Sequence, residues 1–121
     1  MYNTKLLEHF QHPRNVGELD SDPSAVRVEM SNPACGDIMR LAARFEDGVV
    51  AAVCYKVRGC TASIAAGSVL TELMTGQRRD ALAAIRATDI EGALGGLEPA
   101  SKHAAILCVD ALKRLLQAHR M

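Results

Sequence analysis

The chain has no tryptophan, and aromatic residues make up only 3 % of its 121 positions. With apolar residues at 49 %, the core must be packed with Ala, Val, Leu, Ile and Met. Net charge is absent as well, with 14 basic residues against 14 acidic. Without a basic stripe carrying interleaved aromatics, nucleic acid is excluded as the main partner. No apolar run approaches the roughly 18 residues that a membrane helix needs, so no membrane role is expected. The start, Met1-Tyr2-Asn3-Thr4-Lys5, lacks the apolar stretch of a signal peptide. Together these absences imply a single cytoplasmic domain spanning residues 1–121, a length that suits one core.

Four cysteines are present, Cys35, Cys54, Cys60 and Cys108, and no CxxC pair. In a reducing compartment this favours metal binding or thiol chemistry over disulfides. Any site must be assembled by the fold.

Hydrophobic periodicity gives the elements. Thr4 to Gln11 reads as a short helix capped by Asn3, stopped by His12-Pro13-Arg14-Asn15-Val16-Gly17. Ala25 to Ser31, Ile38 to Glu46 and Val49 to Val57 alternate as strands. Asp47-Gly48 is a two-residue hairpin signal. In the third strand Val49, Ala51, Val53, Tyr55 and Val57 are expected inward, with Lys56 and Cys54 outward and Cys54 an exposed thiol. After Gly59 the period becomes helical through Met74, with Gly76 ending the helix. Asp80 to Ala87 is predicted as a second helix capped by Asp80, and Thr88 caps a third. Ser101 is expected to cap a long last helix with Ala105, Cys108, Val109, Leu112, Leu115 and Leu116 on its apolar stripe. The fold class is α+β: a three-stranded antiparallel sheet with helices packed on one face.

Three segment ends carry the chemistry. Asn32-Pro33-Ala34-Cys35-Gly36-Asp37 puts a thiol and a carboxylate two residues apart on a turn. Arg58-Gly59-Cys60-Thr61-Ala62-Ser63 puts a thiol where a strand meets a helix start, where the helix dipole and Arg58 favour thiolate. His103 opens the last helix, whose positive end favours a neutral, ligating imidazole. Convergence of Cys35, Asp37, Cys60 and His103 makes a metal or cluster site. Asp37 is an oxygen donor, a poorer match than thiolate for iron–sulfur centres, so such a site releases its cargo more easily. Cys108 reads as a small hydrophobe, and His9, His12 and His119 as surface residues.

These segments, with His12-Pro13-Arg14-Asn15-Val16-Gly17, Thr71-Glu72, Thr88-Asp89-Ile90 and His103 followed by Ile106, Leu107, Asp110 and Ala111, resemble the IscU/NifU-type iron–sulfur cluster assembly scaffold family over nearly the whole chain. The resemblance implies an IscU/SufE-like fold and a NifU N-terminal domain. It implies a scaffold or carrier, rather than an enzyme, that binds iron and sulfide or a transient [2Fe–2S] cluster and passes it to apo iron–sulfur clients. It also implies a cysteine desulfurase as sulfur donor, metal ligands at Cys35, Asp37, Cys60 and His103, and Cys35 or Cys60 as persulfide acceptor.

Two departures stand out. The family places a third cysteine directly after the histidine, where this chain has Ala104; Cys108 stands about 6 Å further along the helix, too far to take its place. Leu97-Glu98-Pro99-Ala100-Ser101 aligns with the Leu-Pro-Pro-Val-Lys segment read by a specialised Hsp70 chaperone but keeps only the leucine and second proline, which argues against that partner. The alternatives are a zinc-binding sulfur relay, sulfurtransferase-like, and a degenerate interaction protein that binds a desulfurase or client.

Overall fold

The computed structural model describes residues 3–33 and 36–119. Helix α1 (Thr4–Gln11) is followed by strands β1 (Val26–Asn32), β2 (Asp37–Glu46) and β3 (Val49–Arg58). Then come α2 (Thr61–Met74), α3 (Arg79–Ala83), α4 (Ala87–Ala93), a 3-10 turn at Pro99–Ser101, and α5 (His103–Ala118). The strands form one antiparallel sheet in the order β1-β2-β3. Asn3 caps α1 as expected, its Oδ1 accepting from Leu6 N at 3.0 Å. Asp47 and Gly48 both hold positive φ, 53° and 77°, the signature of the tight hairpin turn whose twist matches that of the strands.

One face of the sheet is covered by α2 and α5, with α1 against α2 and α4 against α5. Met39, Leu41, Ala43, Val53 and Tyr55 meet Ala62, Ala65, Ala66, Val69, Leu70, Ala105, Cys108, Ala111, Leu112 and Leu115 there, all essentially buried. Small residues let the helices approach closely. Gly67 is the extreme case: a Cβ there would lie 2.3 Å from the Tyr55 ring. The opposite face carries ion pairs of Arg40 with Glu18 and Glu29, and of Lys56 with Glu18.

Several expectations are corrected. Register shifts between Arg44 and Phe45, so Ala51 is the extra residue of a bulge: it is exposed, and Val50 takes the inward place. Asp80 does not cap α3. The Val49–Arg78 bridge and extended Arg78 start that helix one residue earlier, Asp80 bonds Ala81 N instead, and the helix stops at Ala83. Thr88 lies inside α4, whose cap is Arg86, with the Asp89 carboxylate accepting from Arg86 N at 2.8 Å. Ser101 is not the cap of α5 either; the 3-10 turn runs into the helix through Lys102, which already has helical φ and ψ.

Cys54 does face outward, but it is half-buried. Residues Asn15–Gly17 run beside β3, bonded to both sides of the Tyr55 peptide, and a Cβ on Gly17 would sit 3.4 Å from the Cys54 Sγ. Burial pushes this thiol's pKa up. His12 is exposed, but His9 and His119 are not free surface residues. His9 Nδ1 lies 2.8 Å from the buried Ser68 Oγ, and its side chain is 13 % exposed. His119 stacks on Phe45 at 3.8 Å between ring centroids.

Candidate metal centre

Three element ends meet at one corner of the two-layer fold. Asp37 is the first residue of β2, paired across from Asn32. Its neighbour Ile38 pairs with Arg58, the last residue of β3, so the next turn brings Gly59 and Cys60 beside Asp37. Cys60 is the N-cap of α2 and His103 the first residue of α5, so both helices begin at this corner. Helix starts carry partial positive charge and suit anionic donors. As cap, Cys60 makes no side-chain hydrogen bond to the helix backbone, which leaves its sulfur turned to the corner.

The donor atoms form a nearly regular triangle. Cys60 Sγ lies 3.5 Å from Asp37 Oδ2 and 3.6 Å from His103 Nε2, and His103 Nε2 lies 3.4 Å from Asp37 Oδ2. Tetrahedral coordination with bonds of about 2.3 Å to sulfur and about 2.1 Å to nitrogen and oxygen sets donors about 3.6 Å apart for sulfur pairs and about 3.4 Å for nitrogen with oxygen. The three edges match one face of such a tetrahedron. Asp37 forms the floor, 4 % exposed, while Cys60 and His103 are half-exposed and open the site to solvent.

Two further residues shape the carboxylate. Ser63 Oγ donates to Asp37 Oδ2 and lies 3.3 Å from Cys60 Sγ. Gly59 leaves room for the other oxygen, since a Cβ there would be 2.5 Å from Asp37 Oδ1. Burial alone would raise the Asp37 pKa. Hydrogen bonds from Ser63 and Cys60, and His103 beside it, outweigh that and hold the carboxyl below the usual range. The sequence reading placed Asp37, Cys60 and His103 together but assigned nothing to Ser63 or to the bulk of Gly59. Only the strand register reveals their contacts.

Cys35 lies outside the described residues. Ala104, where the family's third cysteine is expected, is fully buried. Cys108 is 1 % exposed in the apolar core, and burial pushes its thiol well above the ordinary range, so it has no part in this corner. Among the described residues the thiol at the site is that of Cys60.

A sheet of three antiparallel strands, helices on one face and a sulfur–oxygen–nitrogen corner where two helices begin define an α+β domain with a donor group that could hold a metal ion. The profile of the NifU-like N terminal domain family matches residues 1–121, and the chain belongs to that family. It is 36 % identical over 121 residues to the iron-sulfur cluster assembly scaffold protein IscU of Azotobacter vinelandii, covering 98 % of this chain and 94 % of that one. It is 39 % identical to the mitochondrial iron sulfur cluster assembly protein 1 of Candida glabrata, spanning 99 % of this chain but only 57 % of that protein's length. The fold matches the crystal structure of a putative scaffold protein for the SUF system from Fervidobacterium islandicum, with a TM-score of 0.77 at 19 % identity over 95 % of this chain and 96 % of that one. A NifU-like N-terminal protein from Brucella abortus gives 0.71 at 22 % identity over 98 % and 95 %. These two likenesses establish the architecture.

Proposed function

We propose that this chain is an iron–sulfur cluster assembly scaffold or carrier, with iron and sulfide as cargo held at Asp37, Cys60 and His103 and, by resemblance, Cys35. The observation that carries the reading is the donor triangle, whose edges fit one face of a tetrahedral metal. Family membership agrees with it. Each side chain has a separate task. Cys60, half-exposed, meets incoming iron or sulfur and gives up its thiol proton on binding. His103 offers its Nε2 lone pair. Asp37 supplies a hard oxygen that holds iron–sulfur species less firmly than a thiolate, which favours release to an apo-protein client. A cysteine desulfurase is the proposed source of sulfur, with Cys60 or Cys35 as its acceptor.

Anaerobic reconstitution with ferric iron and sulfide tests this. The protein should gain visible charge-transfer absorption with iron and acid-labile sulfide in equal amounts, and Cys60→Ala should lose it. Absence of bound iron in the folded wild type would overturn the reading.

A zinc-bound sulfur relay is the second reading. It is favoured by the mixed donor set and by Ala104, which removes one thiol from the set that would hold a cluster. Native protein purified without air should then contain zinc and no sulfide, and should accelerate a desulfurase.

A further inference from the structure

Ser63 is in the first turn of α2 and 1 % exposed, yet its hydroxyl reaches across to the start of another element. It donates to Asp37 Oδ2, the same oxygen that faces Cys60 and His103. A serine hydroxyl has one proton to give, and here it goes to the carboxylate.

The partners of that oxygen change when the corner is filled. Without a metal ion, Asp37 Oδ2 can accept hydrogen bonds from the Cys60 thiol, from a protonated His103 Nε2 and from Ser63. A metal ion replaces the thiol proton of Cys60 and occupies the Nε2 lone pair of His103, so neither can donate any longer. Ser63 is the one of these three that still donates once the ion is bound. The other oxygen, Oδ1, occupies the space that the missing side chain of Gly59 leaves.

We propose that Ser63 is a positioning residue for the metal corner: its hydroxyl fixes the rotation of the Asp37 carboxylate so that Oδ2 keeps a lone pair aimed at the ion. This rests on the metal-site reading above. Hydrogen-bond partners of metal-binding carboxylates are worth 10- to 100-fold in affinity, and Ser63 supplies that interaction through Asp37 rather than by ligation.

Zinc affinity is measured by competition with a chromogenic chelator, and cobalt(II) spectra report the donor set. The isosteric pair Ser63→Thr and Ser63→Val separates hydroxyl from bulk, alongside Ser63→Ala. We expect Ser63→Thr to keep near wild-type affinity, and Ser63→Val and Ser63→Ala to lose about 10- to 100-fold. The sulfur-to-cobalt band should persist and the ligand-field bands should shift. Combined with Asp37→Ala, Ser63→Ala should add no more than about two-fold, because its target is gone. Equal affinities for the Thr and Val variants would overturn the inference, as would a full Ser63→Ala effect in the Asp37→Ala background. A folded wild type that takes up neither zinc nor cobalt would instead overturn the metal site itself.

Discussion

The Asp37 carboxylate stands in the space that a side chain on Gly59 would occupy, with Oδ1 2.5 Å from that position. Gly59 does not have positive φ, so its backbone would accept alanine. The three nearest atoms in conflict all belong to the acid. Gly59→Ala should therefore turn Asp37 away at a modest cost in stability, about 1 kcal/mol, while metal affinity falls at least ~10-fold. Chelator competition together with urea unfolding checks both halves. Unchanged affinity would mean that Asp37 tolerates a different rotamer at the site.

Gly67 tests the packing beneath the same helix. Alanine is normally better than glycine inside a helix by about 1 kcal/mol. Here its Cβ would lie 2.3 Å from Cε2 and 2.5 Å from Cδ2 of Tyr55. The ring cannot move aside freely, because its hydroxyl donates to Ile64 O at 2.6 Å. Overpacking dominates, and Gly67→Ala should destabilise the protein by about 2 kcal/mol, read as a lower urea midpoint at constant slope.

Alkali should weaken the fold through Cys108 and Tyr55. Burial raises both pKa values above their ordinary 9.0 and 10.0, with Cys108 adding to the shift of Tyr55. The folded state then keeps protons that the unfolded chain has lost, so the unfolded state binds fewer and stability falls as pH rises. The contribution of Cys108 is complete below pH 9.0 and is lost progressively above it. Between pH 9 and 10, Cys108→Ala should flatten the decline by up to about 1.4 kcal/mol per pH unit. Parallel profiles for the two proteins would refute this.

Ala104 offers a gain-of-function test. It follows His103 directly and is fully buried. Ala104→Cys restores the thiol that the family resemblance expects there. A reconstituted cluster should persist longer against chelator in this variant than in wild type, and the zinc-bound form should shed its metal more slowly. No change in either lifetime would mean that a thiol at residue 104 is not within reach of the cargo.

Much of this was legible in the residues. Asn3 before an apolar helix, Asp47-Gly48 between alternating strands and the change of period after Gly59 each act locally, and each is present as read. The meeting of Asp37, Cys60 and His103 was readable because the three element ends that carry them have local signals. What was illegible depends on distant partners. The bulge at Ala51 answers to register with β2, the start of α3 is set by the bridge from Arg78 to Val49, and the burial of Cys54 is due to a segment almost forty residues upstream. Ser63 carries no signal of its own, because its contact with Asp37 depends on the fold that sets α2 beside β2.

The outer border of β3 is taken by its own chain at two places. At Tyr55 the strap Asn15–Gly17 accepts and donates the peptide hydrogen bonds, and at Val50 the turn Gly76–Gln77 does the same. On the far strand, Arg114 reaches round to the Glu29 carbonyl at 3.2 Å. An unguarded border invites a foreign strand to pair with it. Here a strand arriving at those stations finds their hydrogen bonds already made. That leaves fewer open positions for a second sheet to join edge to edge.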